Sequence, residues 1–345
     1  MSQDPASLVL FGRSDTLRSL HLSAASLTLL VGDSGIGKTE LLANAQATAV
    51  STLSPPPVEV FSRDGAIVEA LSDSLARALA QVVADSSQGV QLKRVQAFVL
   101  ELVRRAGPFM LQVAKSAVIQ QLSRHLGESA VKLGAELANV LMNGEDGSIG
   151  SRLGDLRNAG VLMELSSLAT DILGLSQDST LSIALDRLEI LPETDIRLLA
   201  DLTRMLSDGV VLKAALLDTT QRGADALQLL RTLGGPEVAV VSVLPLEEST
   251  VREILESEGL DQAAAPDVCR LTGGYPLHVG DLVRHLATGG HINGATTNAS
   301  FGQLIQPRWH ALTSESRQVA RQLCVAERPL PLKLLLSTLD MPESA

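Results

Sequence analysis

Aromatic side chains are almost missing from this chain: one Trp, one Tyr and five Phe make up 2% of its 345 residues. That scarcity argues against a core of ring-rich strands and predicts an interior of Leu, Ala and Val, of which Leu and Ala favour helices. Cysteine is as scarce. Cys269 and Cys324 stand without a CxxC or a His at ligand spacing, which argues against a disulfide framework or a zinc site and predicts buried free thiols in a reducing compartment. No run approaches the ~18 uninterrupted apolar residues of a membrane span. The N-terminal MSQDPASLVLFGR has neither the basic start nor the long apolar core of a secretory signal. The expectation is a cytoplasmic protein with no membrane partner. Blocks of Lys or Arg are missing too, and the formal net charge is -11. Such a field repels a phosphate backbone, so DNA is a possible but disfavoured partner.

What is present is an apolar share of 45% against 19% charged, in a chain long enough for two or three compact units. Apolar runs of strand length recur at Ser26 to Val31, Val58 to Phe61, Leu181 to Leu185, Val210 to Leu217 and Val238 to Val243, and most are separated by stretches of helical periodicity. That alternation predicts an α/β fold with a parallel sheet flanked by helices. Residues 91–142 read as helical, broken at Gly107 and Pro108 and closed by the turn-rich NGEDGSIG of 143–150. The long stretch between the first and third of these runs predicts a helical insertion over about 91–174, which packs on the core or serves a protein partner or self-association.

The first run leads into Gly32-Asp33-Ser34-Gly35-Ile36-Gly37-Lys38-Thr39, the pattern GxxxxGK[ST] between a strand and an amphipathic helix. Glycines at 32, 35 and 37 permit backbone angles and a close approach that a Cβ would block, so that successive N–H groups converge on a phosphate at the helix N-terminus. Lys38 brings a mobile charge to the β- and γ-phosphates, and the Thr39 hydroxyl can coordinate Mg²⁺. These residues, with Glu40 directly after them, are assigned to ATP or ADP. A metal held by one threonine needs a carboxylate from a neighbouring strand end, and Asp186 is assigned as that second ligand. Next to it stands Arg187, where many such ATPases carry an acidic residue that orients the attacking water. Glu189 is an alternative, but on a continued strand it would face the side opposite Asp186. Asp218-Thr219-Thr220-Gln221-Arg222 at the end of the fourth run puts polar groups at the carboxyl edge of the sheet, with Thr220 and Arg222 read as a γ-phosphate sensor or, in the alternative, as a polar loop capping the next helix.

In that order of signals the chain resembles the signal-transduction ATPases with numerous domains (STAND), kin of the origin-recognition type AAA ATPases. Phe11-Gly12-Arg13-Ser14-Asp15 is similar to the family's GRE-type segment, with Ser14 in place of the usual acidic residue, and Leu271 to Leu277 is similar to its GxP motif, with Pro276 as the proline. The resemblance implies that Phe11, Gly12, Arg13 and Pro276 lie near the base. It also implies a P-loop NTPase domain over 1–250, a helical lid over 251–300 and the start of a winged-helix-like unit over 301–345, in which Trp309 is read as a packing anchor. The implied function is a nucleotide-controlled switch in signalling with slow Mg-dependent ATP hydrolysis. A DNA-associated AAA-type loader and a nucleotide-binding module that never hydrolyses are the alternatives.

Overall fold

The computed structural model describes residues 10–49, 52–85, 159–176, 180–290, 309–310 and 312–326. The chain divides into two units after Pro245.

In the first unit, helix α1 (Ser14–Leu22) precedes strand β1 (Leu27–Gly32), and helix α2 (Lys38–Ala47) follows it. Strands β2 (Thr52–Leu53) and β3 (Val58–Glu59), helix α3 (Ala66–Asp85), helix α4 (Ala159–Leu175) and strand β4 (Thr180–Asp186) come next. Helix α5 (Glu193–Met205), strand β5 (Val210–Leu217), helix α6 (Gln221–Gly234) and strand β6 (Val238–Ser242) complete the unit. The sheet runs β2-β4-β5-β1-β6, with β3 also on β4, and every pairing is parallel. Strand β5 therefore stands between the strand that leads to Lys38 and the strand that ends in Asp186. The register sets Gly32 beside Leu217.

β2 and β3 pair with the two ends of β4, Leu53 beside Leu181 and Val58 beside Leu185. They are one strand interrupted by Pro55-Pro56-Pro57, which supply no N–H to a ladder. The expected strand through Phe61 is accordingly short, although the Val60 N–H still donates to the Asp186 carbonyl at 3.2 Å.

One face of the sheet, with Leu27, Leu29, Val31, Ile183, Leu185, Leu212 and Ala214, belongs to a buried cluster with the apolar sides of α3, α4, α5 and α6. The Asp195 carboxylate of α5 caps the start of α3, accepting from Gly65 N at 3.2 Å and Ile67 N at 3.3 Å. The last part of the expected insertion is thus part of this layer: Leu162, Leu165, Leu168 and Ile172 of α4 are core residues at helical spacing. The remainder of 91–174 lies outside the described residues. On the opposite face Gln46 of α2 donates to the Pro55 and Ser182 carbonyls at 3.0 and 2.9 Å and accepts from the Ser182 hydroxyl at 2.7 Å, fastening α2 over β4.

The second unit contains α7 (Glu248–Ser257), α8 (Ala265–Thr272), α9 (Pro276–Ala287) and α10 (Ser314–Ala326). Val251, Ile254 and Leu255 of α7, Val268 of α8, and Val279, Leu282 and Val283 of α9 are buried. Gly273 ends α8 at φ 63°, a left-handed cap whose N–H returns to Cys269 O at 2.8 Å. Cys269 is a free thiol as expected, but half-buried rather than fully so. The Arg321 guanidinium lies over the Trp309 ring at 5.6 Å from its centre. Residues 291–308, 311 and 327–345, and with them most of the expected winged-helix-like segment, lie outside the described residues. No helix among the described residues is long and apolar enough to cross a membrane.

Candidate functional site

β1 ends at the carboxyl edge of the sheet in a loop whose glycines take angles that side chains resist: φ is 75° at Gly35 and 96° at Gly37, the residue that opens α2. At Gly32 a Cβ would sit 2.7 Å from the Val243 carbonyl oxygen and 3.3 Å from Ile36 Cγ2, so the loop begins where the backbone must pass close to a neighbour. Ile36 is buried and anchors the loop from below. Lys38 folds back over it, donating to the carbonyls of Gly32 and Asp33 at 2.7 Å each. Burial pushes its ammonium below the ordinary lysine value, and the carboxylates of Glu189, Asp186, Asp218 and Asp33 oppose that shift. Glu40 is in the first turn of α2.

The Thr39 hydroxyl donates to Asp186 Oδ2 at 2.7 Å, joining the start of α2 to the end of β4. The other oxygen of Asp186 accepts the Arg187 N–H at 2.9 Å. Burial nevertheless holds the Asp186 carboxyl above its ordinary value; these two hydrogen bonds act against burial, and Glu189 and Glu59 add to it. Among the described residues no group of three His, Cys, Asp or Glu is placed to hold a metal ion.

Beyond Asp186 the strand does not continue. Arg187 is the one non-glycine residue with positive φ, 66°, among the described residues, and Leu188–Ile190 form a 3-10 turn. This overturns the expectation that Glu189 points away from Asp186, because the alternation of a strand stops at the left-handed residue. Glu189 Oε2 accepts the N–H of Leu217 at 3.1 Å, at the end of β5. The Arg187 guanidinium pairs with Glu59, at the end of β3.

Of the two roles expected for the polar residues after β5, the capping of the next helix is the one that Thr220 takes. The Thr220 hydroxyl caps α6, accepting from Gly223 N at 3.1 Å. Arg222 donates to the carbonyls of Ile190 and Leu191, the second at 3.2 Å. It is Thr219 that reaches the glycine loop, through Asp33 Oδ1 at 3.1 Å. Neither Thr219 nor the Glu59 partner of Arg187 was singled out in the sequence; the only signal for Thr219 was its place one residue before the one chosen.

Of the segment expected near a base, Phe11 and Gly12 lie in the turn before α1, with Gly12 at φ 64°. Arg13 is only 5% exposed, and its Nε and Nη2 have no hydrogen-bond partner among the described residues. Burial lowers its pKa below the ordinary arginine value. Pro276 is buried at the start of α9 in the second unit. No protein-family model matches the chain, and no curated protein matches it.

Proposed function

We propose that this chain is an ATP-binding P-loop NTPase of the STAND or AAA kind, a nucleotide-controlled switch with slow hydrolysis. The observation that carries the reading is the pairing of a glycine-shaped loop and its lysine with a hydroxyl-carboxylate contact, Thr39 to Asp186, between two strands separated by a third. Lys38 already turns its ammonium onto the loop's carbonyls, a geometry in which phosphate oxygens can replace them as acceptors. The loop's backbone N–H groups and the N-terminus of α2 supply further positive potential.

Thr39 and Asp186 fit Mg²⁺, a hard cation that takes one or two protein oxygens and completes its shell with phosphate and water. Bound there, Mg²⁺ would offset charge on the β- and γ-phosphate oxygens. Two buried guanidinium nitrogens of Arg13 that have no acceptor among the described residues support a ligand on the α1 side, since such donors are costly unless a ligand brings acceptors. Binding energy spent on these groups can bias a two-state arrangement of the chain, which is what a switch requires.

The test has two parts. Chromatography of what is released on denaturing the purified protein should identify an adenine nucleotide. In titrations, Asp186→Ala should lose most of the Mg²⁺-dependent part of ATP affinity while metal-free ADP binding changes less. Equal losses with and without Mg²⁺ would remove Asp186 from the metal site.

A further inference from the structure

Three independent contacts hold the short segment after Asp186. At its start Arg187, in its left-handed conformation, pairs with Glu59 of β3. At its end Arg222 of α6 donates to the carbonyls of Ile190 and Leu191. In the middle Glu189 Oε2 accepts from the backbone of Leu217. Two of these contacts come from arginines whose charge is used to fix backbone and turn, and between them the segment presents a single carboxylate.

Its position follows from the sheet. Leu217 is the last residue of β5, beside Gly32 in register, and Gly32 is the residue whose carbonyl receives Lys38. β5 itself lies between β1 and β4, so a carboxylate fastened to its end stands at the carboxyl edge between the glycine loop and Asp186. Oε2 is committed to Leu217, and Oε1 makes no hydrogen bond to any described residue.

We infer that Glu189, displaced by two positions from the residue directly after Asp186, is the carboxylate that orients the attacking water, and that Arg222 is its positioning residue. The inference rests on the nucleotide-site reading above. In the step it serves, the water oxygen bonds to the γ-phosphorus as the bond from that phosphorus to the β,γ-bridging oxygen breaks, its electron pair staying on ADP. One proton of the water remains on the new phosphate and the other is released to solvent. Glu189 Oε1 accepts a hydrogen bond from that water and so aligns its lone pair. Arg187 is engaged with Glu59 and takes no part in this alignment; it sets the turn.

Single-turnover hydrolysis with protein in excess, alongside calorimetric ATP titration of the same samples, tests this. Glu189→Gln keeps an oxygen for the Leu217 N–H but puts an amide where the water's acceptor stood, and should slow hydrolysis about a hundredfold, the scale of a misaligned attack, with ATP affinity within about threefold of wild type. Arg222→Ala should slow hydrolysis by a smaller factor, again without loss of affinity, and Arg222→Lys should restore part of it. Arg187→Glu should not raise the rate. Circular dichroism melting identifies any variant that fails to fold, in which case Glu189→Asp, with a shorter reach, replaces Glu189→Gln and should give an intermediate rate. Hydrolysis by folded Glu189→Gln within about threefold of wild type overturns the inference, as does a wild type that binds ATP without hydrolysing it. A wild type that binds no nucleotide overturns the underlying site reading instead.

Discussion

Replacing Gly223 by alanine would place a methyl carbon 1.6 Å from the carbonyl oxygen of Leu217, 2.8 Å from its carbon and 3.1 Å from Thr220 Oγ1. The first distance is about 1.4 Å short of the 3.0 Å below which real contacts essentially never fall, and both colliding atoms belong to backbone, so no rotamer change relieves the clash. Either the first turn of α6 or the end of β5 must move. Overpacking of this kind costs about 1–3 kcal/mol, and displacement of the Thr220 cap adds about 1 kcal/mol. The expected loss is therefore about 3 kcal/mol. Gly174, in the last turns of α4, has nothing within 4 Å of a built Cβ, so the same chemical change there should stabilise by about 0.5–1 kcal/mol through helix propensity. Urea unfolding followed by far-ultraviolet circular dichroism should move the midpoint down for Gly223→Ala and slightly up for Gly174→Ala, with unchanged slopes. Equal midpoints for the two variants would refute the close seating of α6 on β5, and with it the position of Leu217 that anchors Glu189.

Asp186→Asn should stabilise the Mg²⁺-free protein at neutral pH. The native carboxyl holds its proton to higher pH than the unfolded one, so wild-type stability falls as pH rises from the ordinary aspartate range through the raised native value; the advantage of Asn should therefore vanish on acidification, which pH-dependent melting would show. Arg13→Met, which removes a buried guanidinium with two orphaned nitrogens, should leave the nucleotide-free melting temperature equal or higher yet shrink the shift produced by ADP; a lowered melting temperature with a full ADP shift would assign Arg13 to structure alone. Wild-type turnover should be well below ~1 s⁻¹ without a partner, as in unassisted switch enzymes, and a chemical step faster than about 10 s⁻¹ in a single-turnover assay would point to a motor or metabolic enzyme.

The strands were legible because β1, β4 and β5 are covered on both faces and so read as nearly continuous apolar runs, interrupted inside by Thr28, Ser182 and Lys213 alone; β5 has the bounds its sequence suggests. The interruption at Pro55 to Pro57 hid the fact that β2 and β3 flank one strand together. Helix α4 was merged into the insertion because chain distance, rather than its own spacing of Leu162, Leu165, Leu168 and Ile172, drove the division. At the site, GxxxxGK[ST] located Lys38 and Thr39, and the apolar run before Asp186 located the partner of Thr39. The placement of Glu189 was not legible, since a left-handed arginine has no sequence signature and alternation fails at the first residue that leaves the strand. Thr219 and Thr220 differ by one residue at a strand end, where facing changes with every step, and composition cannot choose between them. Arg13 was reached through family resemblance; a charged residue just before a helix gives no hint in the sequence that it is buried.

The central claim is that Lys38 and its loop bind the phosphates of ATP, and isothermal titration of Mg²⁺-ATP into wild type and Lys38→Ala tests it most directly. Loss of a charged hydrogen-bond donor at a phosphate is worth about 1.5–3 kcal/mol, so the variant should bind about ten- to a hundredfold more weakly while keeping its circular dichroism spectrum. A Lys38→Ala protein that binds ATP as tightly as the wild type, or a wild type that binds none, would contradict the account.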